Sequence, residues 1–322
     1  VVVKVDVNEP NAVGTTLMMR IYAWPRVTWG RWSRLPAPDR VFVPCVYLLL
    51  FVFLLVVLLP LLYILASSFS SPEAVSSGRV LLWPQDFSLR GYKAVFESPA
   101  VLRGYLNSLF YTVVGTALSL TLTIAIAYPL SIKGLPGGRF LLAMIVLTML
   151  FSGGLIPTFT VVRSLNLLDT RWALILPQAI GVWQVIIART FFRHSLPIEL
   201  YDAARLDGCS EFRYLWSVVL PLSRPMLAVV ALMYAVAQWN TYFDALIYLR
   251  SPDLYPLQLV LRDVLILNSQ TGMEAGDFVE RQQLANLLKY SLIVVSTVPM
   301  LVLYPFVARH FTKGLLIGAV KG

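Results

Sequence analysis

The stretch Pro197 to Pro221, PIELYDAARLDGCSEFRYLWSVVLP, is the one long polar segment between two apolar runs that can each cross a membrane. It reads as two short helices with a glycine joint. Pro197 suits a first helical turn, where its missing N–H costs nothing. Gly208 suits the left-handed residue that ends that helix. Ser210 can cap the next helix, which is expected to stop near Pro221. Tyr201, Ala204 and Gly208 fall on one face at helical spacing, and Arg205 stands three residues from Asp202. Glu199, Asp202 and Asp207 make the first helix acidic. Ala203, Ala204 and Gly208 are small, so another protein's surface can approach the backbone, which suits a helix that docks into a groove. An ordinary amphipathic loop helix would carry the same pattern, so both readings stay open at this point.

Working outward, the chain has 322 residues, 58% of them hydrophobic, with a mean hydropathy of +0.73. Charged residues are only 13%, against about 25% in soluble proteins. This is the composition of a polytopic membrane protein. Crossing the hydrocarbon takes about 20 apolar residues, and six runs qualify: 41–66, 105–132, 140–162, the short 172–188, 225–243 and 290–308. Charges bracket these runs and stay out of them, as the cost of an ion in lipid requires. The expected division is a polar segment at 1–40, a first span with its outer loop at 41–104, a core of five spans at 105–308 with the polar loop at 193–224 inside it, and a tail at 309–322.

Six spans put both termini on one side. If that side is the cytoplasm, the inside segments carry sixteen of the 26 Lys and Arg, so the positive-inside bias favours this orientation. It also places the Asp202 loop where ATP is. Residues 1–40 interleave Arg20, Arg26, Arg31, Arg34 and Arg40 with Trp24, Trp29 and Trp32, a pattern that fits a segment on the inner membrane surface or a disordered tail. No early apolar core with a small-residue cleavage site is present there, so no signal peptide is expected. Net charge is +9, but the bases flank spans and form no stripe, which argues against a nucleic-acid partner. Cys45 and Cys209 suggest no disulfide framework. His194 and His310 fit no metal-ligand spacing, and no metal is expected.

Two further stretches depart from plain spans. Ser152, Gly153, Gly154 and Pro157 interrupt helical hydrogen bonding in the middle of the third run. Such backbone survives at membrane depth only where protein or a water-filled cavity covers it. Gln238, Trp239, Asn240 and Tyr242 lie at the outer end of the fifth run. Amides pair with sugar hydroxyls and aromatic faces stack on sugar rings, although an interfacial aromatic belt also explains Trp239 and Tyr242. The run Leu254 to Leu267, with Arg262 and Asp263 inside it, reads as an amphipathic helix on the outer surface, meeting a partner, closing the outer mouth or contacting lipid.

Asp202-Ala203-Ala204, Gly208, Val218, Leu220 and Pro221 resemble the EAA loop of binding-protein-dependent ABC importer permeases: Glu-Ala-Ala, three residues, Gly, nine residues, Ile, one residue, Leu-Pro. The spacing matches throughout, with Asp202 in place of Glu and Val218 in place of Ile. Asn107-Ser108-Leu109, Phe151 to Pro157, Trp172 to Pro177, Gln238 to Tyr248 and Tyr255-Pro256-Leu257-Gln258 are similar to the carbohydrate branch, of maltose-permease kind, and within it to the polysaccharide and oligosaccharide subfamily, alginate-type importers among them.

The resemblance implies an all-α, six-span type I importer permease fold in the bacterial inner membrane. It implies coupling to an ATPase through Glu199, Asp202, Ala203, Ala204, Asp207, Gly208, Leu220 and Pro221. It implies a substrate path at Gly153, Gly154, Gln238, Trp239, Asn240, Tyr242, Phe243 and Asp244, and an ATPase-interface tail at Gly318 and Lys321. The implied partners are a second, similar permease, two ATPase subunits, a periplasmic or extracellular solute-binding protein and an oligosaccharide. No cofactor is expected on this chain; ATP and Mg would sit in the ATPase. The chain holds no GxxxxGK[ST] run, so it is not itself the ATPase and is not expected to be an enzyme. No Asp, Glu, Lys or Arg lies inside a proposed span, which argues against a gradient-driven carrier. That carrier, a non-transporting scaffold and a membrane-embedded enzyme are the competing readings.

Overall fold

The computed structural model describes residues 37–132, 134–151, 153–267, 287–302 and 304–305. The 1–36 segment and the tail from 306, with Gly318 and Lys321, lie outside the described residues. The chain divides into two compact units, Val1–Leu61 and Leu62–Gly322. Helices account for the regular structure, with no strand among the described residues.

The first unit is described by the leading part of α1 (Ala37–Ser68). Within its 41–68 stretch the most apolar 18-residue window has a mean hydropathy of 3.2, and none of that window is buried. A helix that is apolar all round and unburied has only lipid or a partner to face.

In the second unit α4 (Pro99–Ser131) is a 33-residue helix. Before it come α2 (Pro72–Ser76) and α3 (Arg90–Glu97). Its buried side is small and polar, with Gly104, Ser108, Thr112, Gly115, Ser119, Thr123 and Ala127 at steps of three and four. Its opposite side exposes Leu102, Leu106, Leu109 and Val113. Large residues outward and small residues inward is the membrane pattern, because small residues let helix backbones approach closely. A Cβ on Gly115 would sit 2.8 Å from Gln238, and one on Gly104 would sit 2.9 Å from Val260.

The other helices are broken. α5 (Gly138–Leu150) and α6 (Leu155–Ser164) meet at 114°, where the Gly153-Gly154 interruption was expected. The expected fourth span is not continuous. It is a short α7 (Trp172–Ile175), an irregular stretch holding Pro177 and Gly181, then α8 (Val182–His194). Pro177 offers no N–H, and Gly181 gives its own to the Tyr234 hydroxyl at 3.0 Å.

After α9 (Ile198–Leu206), α10 (Glu211–Tyr214) runs through a π turn (Leu215–Val219) into α11 (Leu220–Leu222). The path then bends by 82° into α12 (Arg224–Trp239). α13 (Phe243–Tyr248), a 3₁₀ turn (Pro252–Leu254) and α14 (Leu257–Leu267) follow, and α15 is Leu287–Val302. By length two described helices cross a membrane singly and the bent pairs bring this to four, so the count of six is not read from helix length alone.

α14 packs one face inside the chain. It buries Leu257, Leu259 and Val260 within the chain, and the two motifs at 107–109 and 255–258 hold one another. Asn107 Nδ2 donates to the carbonyls of Asp253 (2.7 Å) and Tyr255 (3.1 Å), and the Tyr111 hydroxyl to that of Leu254 (2.8 Å). The Ser108 hydroxyl accepts the Leu257 N–H at 2.8 Å. Arg103 pairs with Asp253 beside them.

Asp169 completes the tie. It has a positive φ of 59°, a conformation that Asp tolerates better than most residues. Its carboxylate accepts the Ser251 hydroxyl (2.6 Å) and the N–H groups of Ser251 (2.8 Å) and Arg250 (2.9 Å). These bonds, the hydroxyl first, hold the carboxyl below its usual range. A lowered carboxyl stabilises the fold above its unfolded value, about 3.9, and that support is lost as pH falls through the lower folded value. Protection of the Arg250 and Ser251 amides from hydrogen exchange, corrected for intrinsic rates, should stay level from pH 7 to pH 5. Asp169→Asn, which keeps the backbone conformation and removes the charge, should raise their exchange on the order of tenfold.

Candidate coupling loop and substrate path

The polar loop folds as its residues suggest, with two small shifts. Pro197 is the residue before the first helical turn, at φ −60° and ψ 137°. Gly208 has φ +72° and ends α9, and the Ser210 hydroxyl accepts the Arg213 N–H at 3.4 Å. Pro221 lies within the continued helix, which ends at Leu222.

α9 turns Tyr201 and Ala204 inward against Tyr128, Phe192, Tyr214 and Val219. Asp202, Ala203, Asp207 and Gly208 are exposed, as are Glu199 and Pro221, while Leu220 is half-buried. The small-residue set is therefore split: Ala204 packs inward, and Ala203 and Gly208 face out. Among the outward residues Leu206 is 88% exposed and Phe212 75%. Neither stood out in the sequence. Leu206 reads as an ordinary helix former there, and only the register of α9 on its core reveals it.

Sequence reading also missed the residue that fixes this loop. Glu211 accepts the hydroxyl of Tyr201 on α9 and, at 3.1 Å, that of Tyr128 on α4. The bond to Glu211 raises the Tyr201 pKa and keeps its proton in place. The Tyr201 and Tyr214 rings meet edge to face at 5.4 Å, and the Arg205 guanidinium lies 5.7 Å from the centre of the Tyr201 ring. Helices α4, α9 and α10 thus meet at one carboxylate.

At the far end of α12 the expected path residues separate. Gln238 and Trp239 are buried, at 4% and 1% exposure. Gln238 packs over Gly115. The Trp239 indole donates to the Ser296 carbonyl at 2.9 Å and meets Tyr105 edge to face. Asn240, Tyr242 and Phe243 are exposed and Asp244 is half-buried. The Gln178 amide, from the break between α7 and α8, donates to Asp244, whose carboxyl burial pushes up. Gly153 and Gly154 are exposed at the α5–α6 break, Gly154 with φ +81°. The described residues contain no group of three or more His, Cys, Asp or Glu placed to hold a metal.

The described residues are all-helical, with broken helices and an exposed polar loop, an architecture of membrane transport proteins. The chain belongs to the family of binding-protein-dependent transport system inner membrane components, whose model matches residues 28–268. It is 45% identical over 283 residues to protein LplC of Bacillus subtilis (strain 168), covering 88% of this chain and 96% of that one. It is 43% identical over 288 residues to the polygalacturonan/rhamnogalacturonan transport system permease protein YtcP of the same organism, covering 88% and 99%. Among solved structures it is similar to a chain of a bacterial ABC transporter involved in the import of the acidic polysaccharide alginate. The TM-score there is 0.80 and the identity 34%, over 86% of this chain and 99% of that one.

Replacing Glu211 by Ala removes the acceptor shared by Tyr128 and Tyr201. The variant should insert normally, while amide exchange in α9 rises on the order of tenfold. Unchanged exchange would show that ring packing alone holds the helix.

Proposed function

We propose that this chain is the membrane subunit through which an ATP-driven importer carries an oligosaccharide across the bacterial inner membrane. The observation that carries the proposal is the exposed helical loop at 197–222, tied to α4 through Glu211. A helix locked to α4 through Glu211 exposes Leu206 among Asp202, Ala203, Asp207 and Gly208. An exposed leucine on a charged, small-faced helix suits insertion into a groove of an ATPase subunit. Motion of that groove would pass through α9 and the π turn to the 82° bend at the start of α12. Two such ATPase subunits would bind the ATP and Mg, with Gly318 and Lys321 of the tail at their interface. A second, similar permease and an external solute-binding protein complete the assembly, with both termini of this chain in the cytoplasm.

The sugar path is assigned to Asn240, Tyr242, Phe243 and Asp244, with Gln178 hydrogen-bonded to Asp244, and to Gly153 and Gly154 at the α5–α6 break. Gln238 and Trp239 support this path from behind in the present conformation. Oligogalacturonides are the first substrates to test, because of the similarity to a polygalacturonan permease and to an alginate importer chain. No observation favours a gradient-driven carrier or a scaffold.

Three substitutions test the coupling loop. Leu206→Glu and Asp202→Lys should lower oligosaccharide uptake in reconstituted vesicles at least about tenfold, with ATPase binding weakened and insertion intact. Gly208→Trp should do the same, since its side chain would project into open space on the docking side. Wild-type uptake by all three variants would sink the proposal.

A further inference from the structure

A cavity of about 680 Å³ opens where α4 ends and the chain turns into α5, apart from the sugar path and from the outward face of α9. Its lining includes Gly134, Leu135, Gly137, Arg139, Arg189 and Arg193, and none of the lining residues is acidic. Among the described residues none of these arginines forms an ion pair. Arg189 gives its Nε to the Leu130 carbonyl at 3.0 Å, at the edge of the cavity. Three guanidinium groups around one hollow repel one another unless an anion lies between them. Their forked donors match a phosphate well. The first turn of α5 adds to this: Gly138, Arg139 and Phe140 line the cavity, and the helix start has no side-chain cap. Backbone N–H groups at a helix start favour negative charge.

α5 decides which anion. None of its residues is buried. Phe140, Leu141, Met144, Leu147 and Leu150 are exposed along it, beginning with a residue of the cavity itself. An apolar wall about 20 Å long, by helical rise, thus runs from the arginine-lined cavity. A phosphate held by the arginines would lay attached acyl chains along that wall. Basic pockets at the ends of membrane helices take anionic head groups by this logic. We propose that the cavity binds the phosphate of an anionic phospholipid, with Arg139, Arg189 and Arg193 around the head group and the acyl chains along α5. Arg193 also lines the adjoining cavity beneath α9, beside Ile198 and Glu199. The lipid therefore sits at the root of the coupling loop.

The test is native mass spectrometry of the full chain in mild detergent. Phosphatidylglycerol is titrated against phosphatidylethanolamine of the same acyl chains, with and without inorganic phosphate. The expected result is retention of phosphatidylglycerol on the order of tenfold greater. That preference should vanish in Arg139→Gln/Arg193→Gln and persist in Arg79→Gln, a control whose arginine pairs with Asp86 instead. Equal retention of both lipids, or a preference untouched by the double substitution, overturns the proposal. Inorganic phosphate that occupies the site and displaces the lipid would assign the same chemistry to a soluble anion and overturn the lipid. Photoactivatable phosphatidylglycerol tests the wild-type chain without any substitution. Labelling concentrated at 138–150 supports the site, and labelling spread evenly over the exposed helices counts against it.

Discussion

Every backbone N–H and C=O at membrane depth must find a partner inside the protein, because lipid offers none. The second unit of this chain meets that demand with one long helix and several broken ones. α4 carries its own hydrogen bonds and presents polar side chains to the breaks around it. Asn107, Ser108 and Tyr111 take up the backbone at 253–257. Thr123 shares a 2.7 Å hydrogen bond with Tyr234, whose hydroxyl serves Gly181. Tyr128 reaches Glu211 in the 197–222 loop. The irregular segments, where transport chemistry can happen, exist because α4 makes them affordable.

Much of this was legible in the sequence. Hydropathy marks the apolar runs, and the spacing from Asp202 to Pro221 marks the loop. Gly208 and Ser210 take the turn and cap positions their chemistry suits. The break at Gly153-Gly154 was visible because two glycines and a proline cannot continue a helix. The break near Pro177 was hidden by its apolar neighbours, which satisfy a hydropathy count without forming a helix. Glu211 was hidden for another reason. Its role depends on Tyr128, 83 residues away, and no local pattern records such a meeting.

The path residues show the same limit. Gln238 and Asn240 are both amides near one helix end and look equivalent in sequence. The register of α12 on α4 buries the first and exposes the second. Likewise α14 has the pattern of a surface helix, yet it buries its apolar face because Gly104 lets it come close to α4. Small residues on a neighbouring helix decide such outcomes, and pattern within one element does not reveal them.

The two ends of α4 are tied differently. At one end the 250–257 segment is held by many hydrogen bonds and by the Asp169 carboxylate. At the other, the Glu211 carboxylate and the packing of Tyr201 and Ala204 against the cluster around Tyr128 join α4 to a helix that exposes Leu206. On the proposed function, force applied there would pass through α9 and the π turn to the bend before α12. Uptake of labelled oligogalacturonide into proteoliposomes carrying the assembled importer tests this directly, with the ATPase active in one preparation and its nucleotide site disabled in the other. Uptake should occur only with the active ATPase and external binding protein; equal uptake by both preparations would contradict a pore driven from its coupling loop.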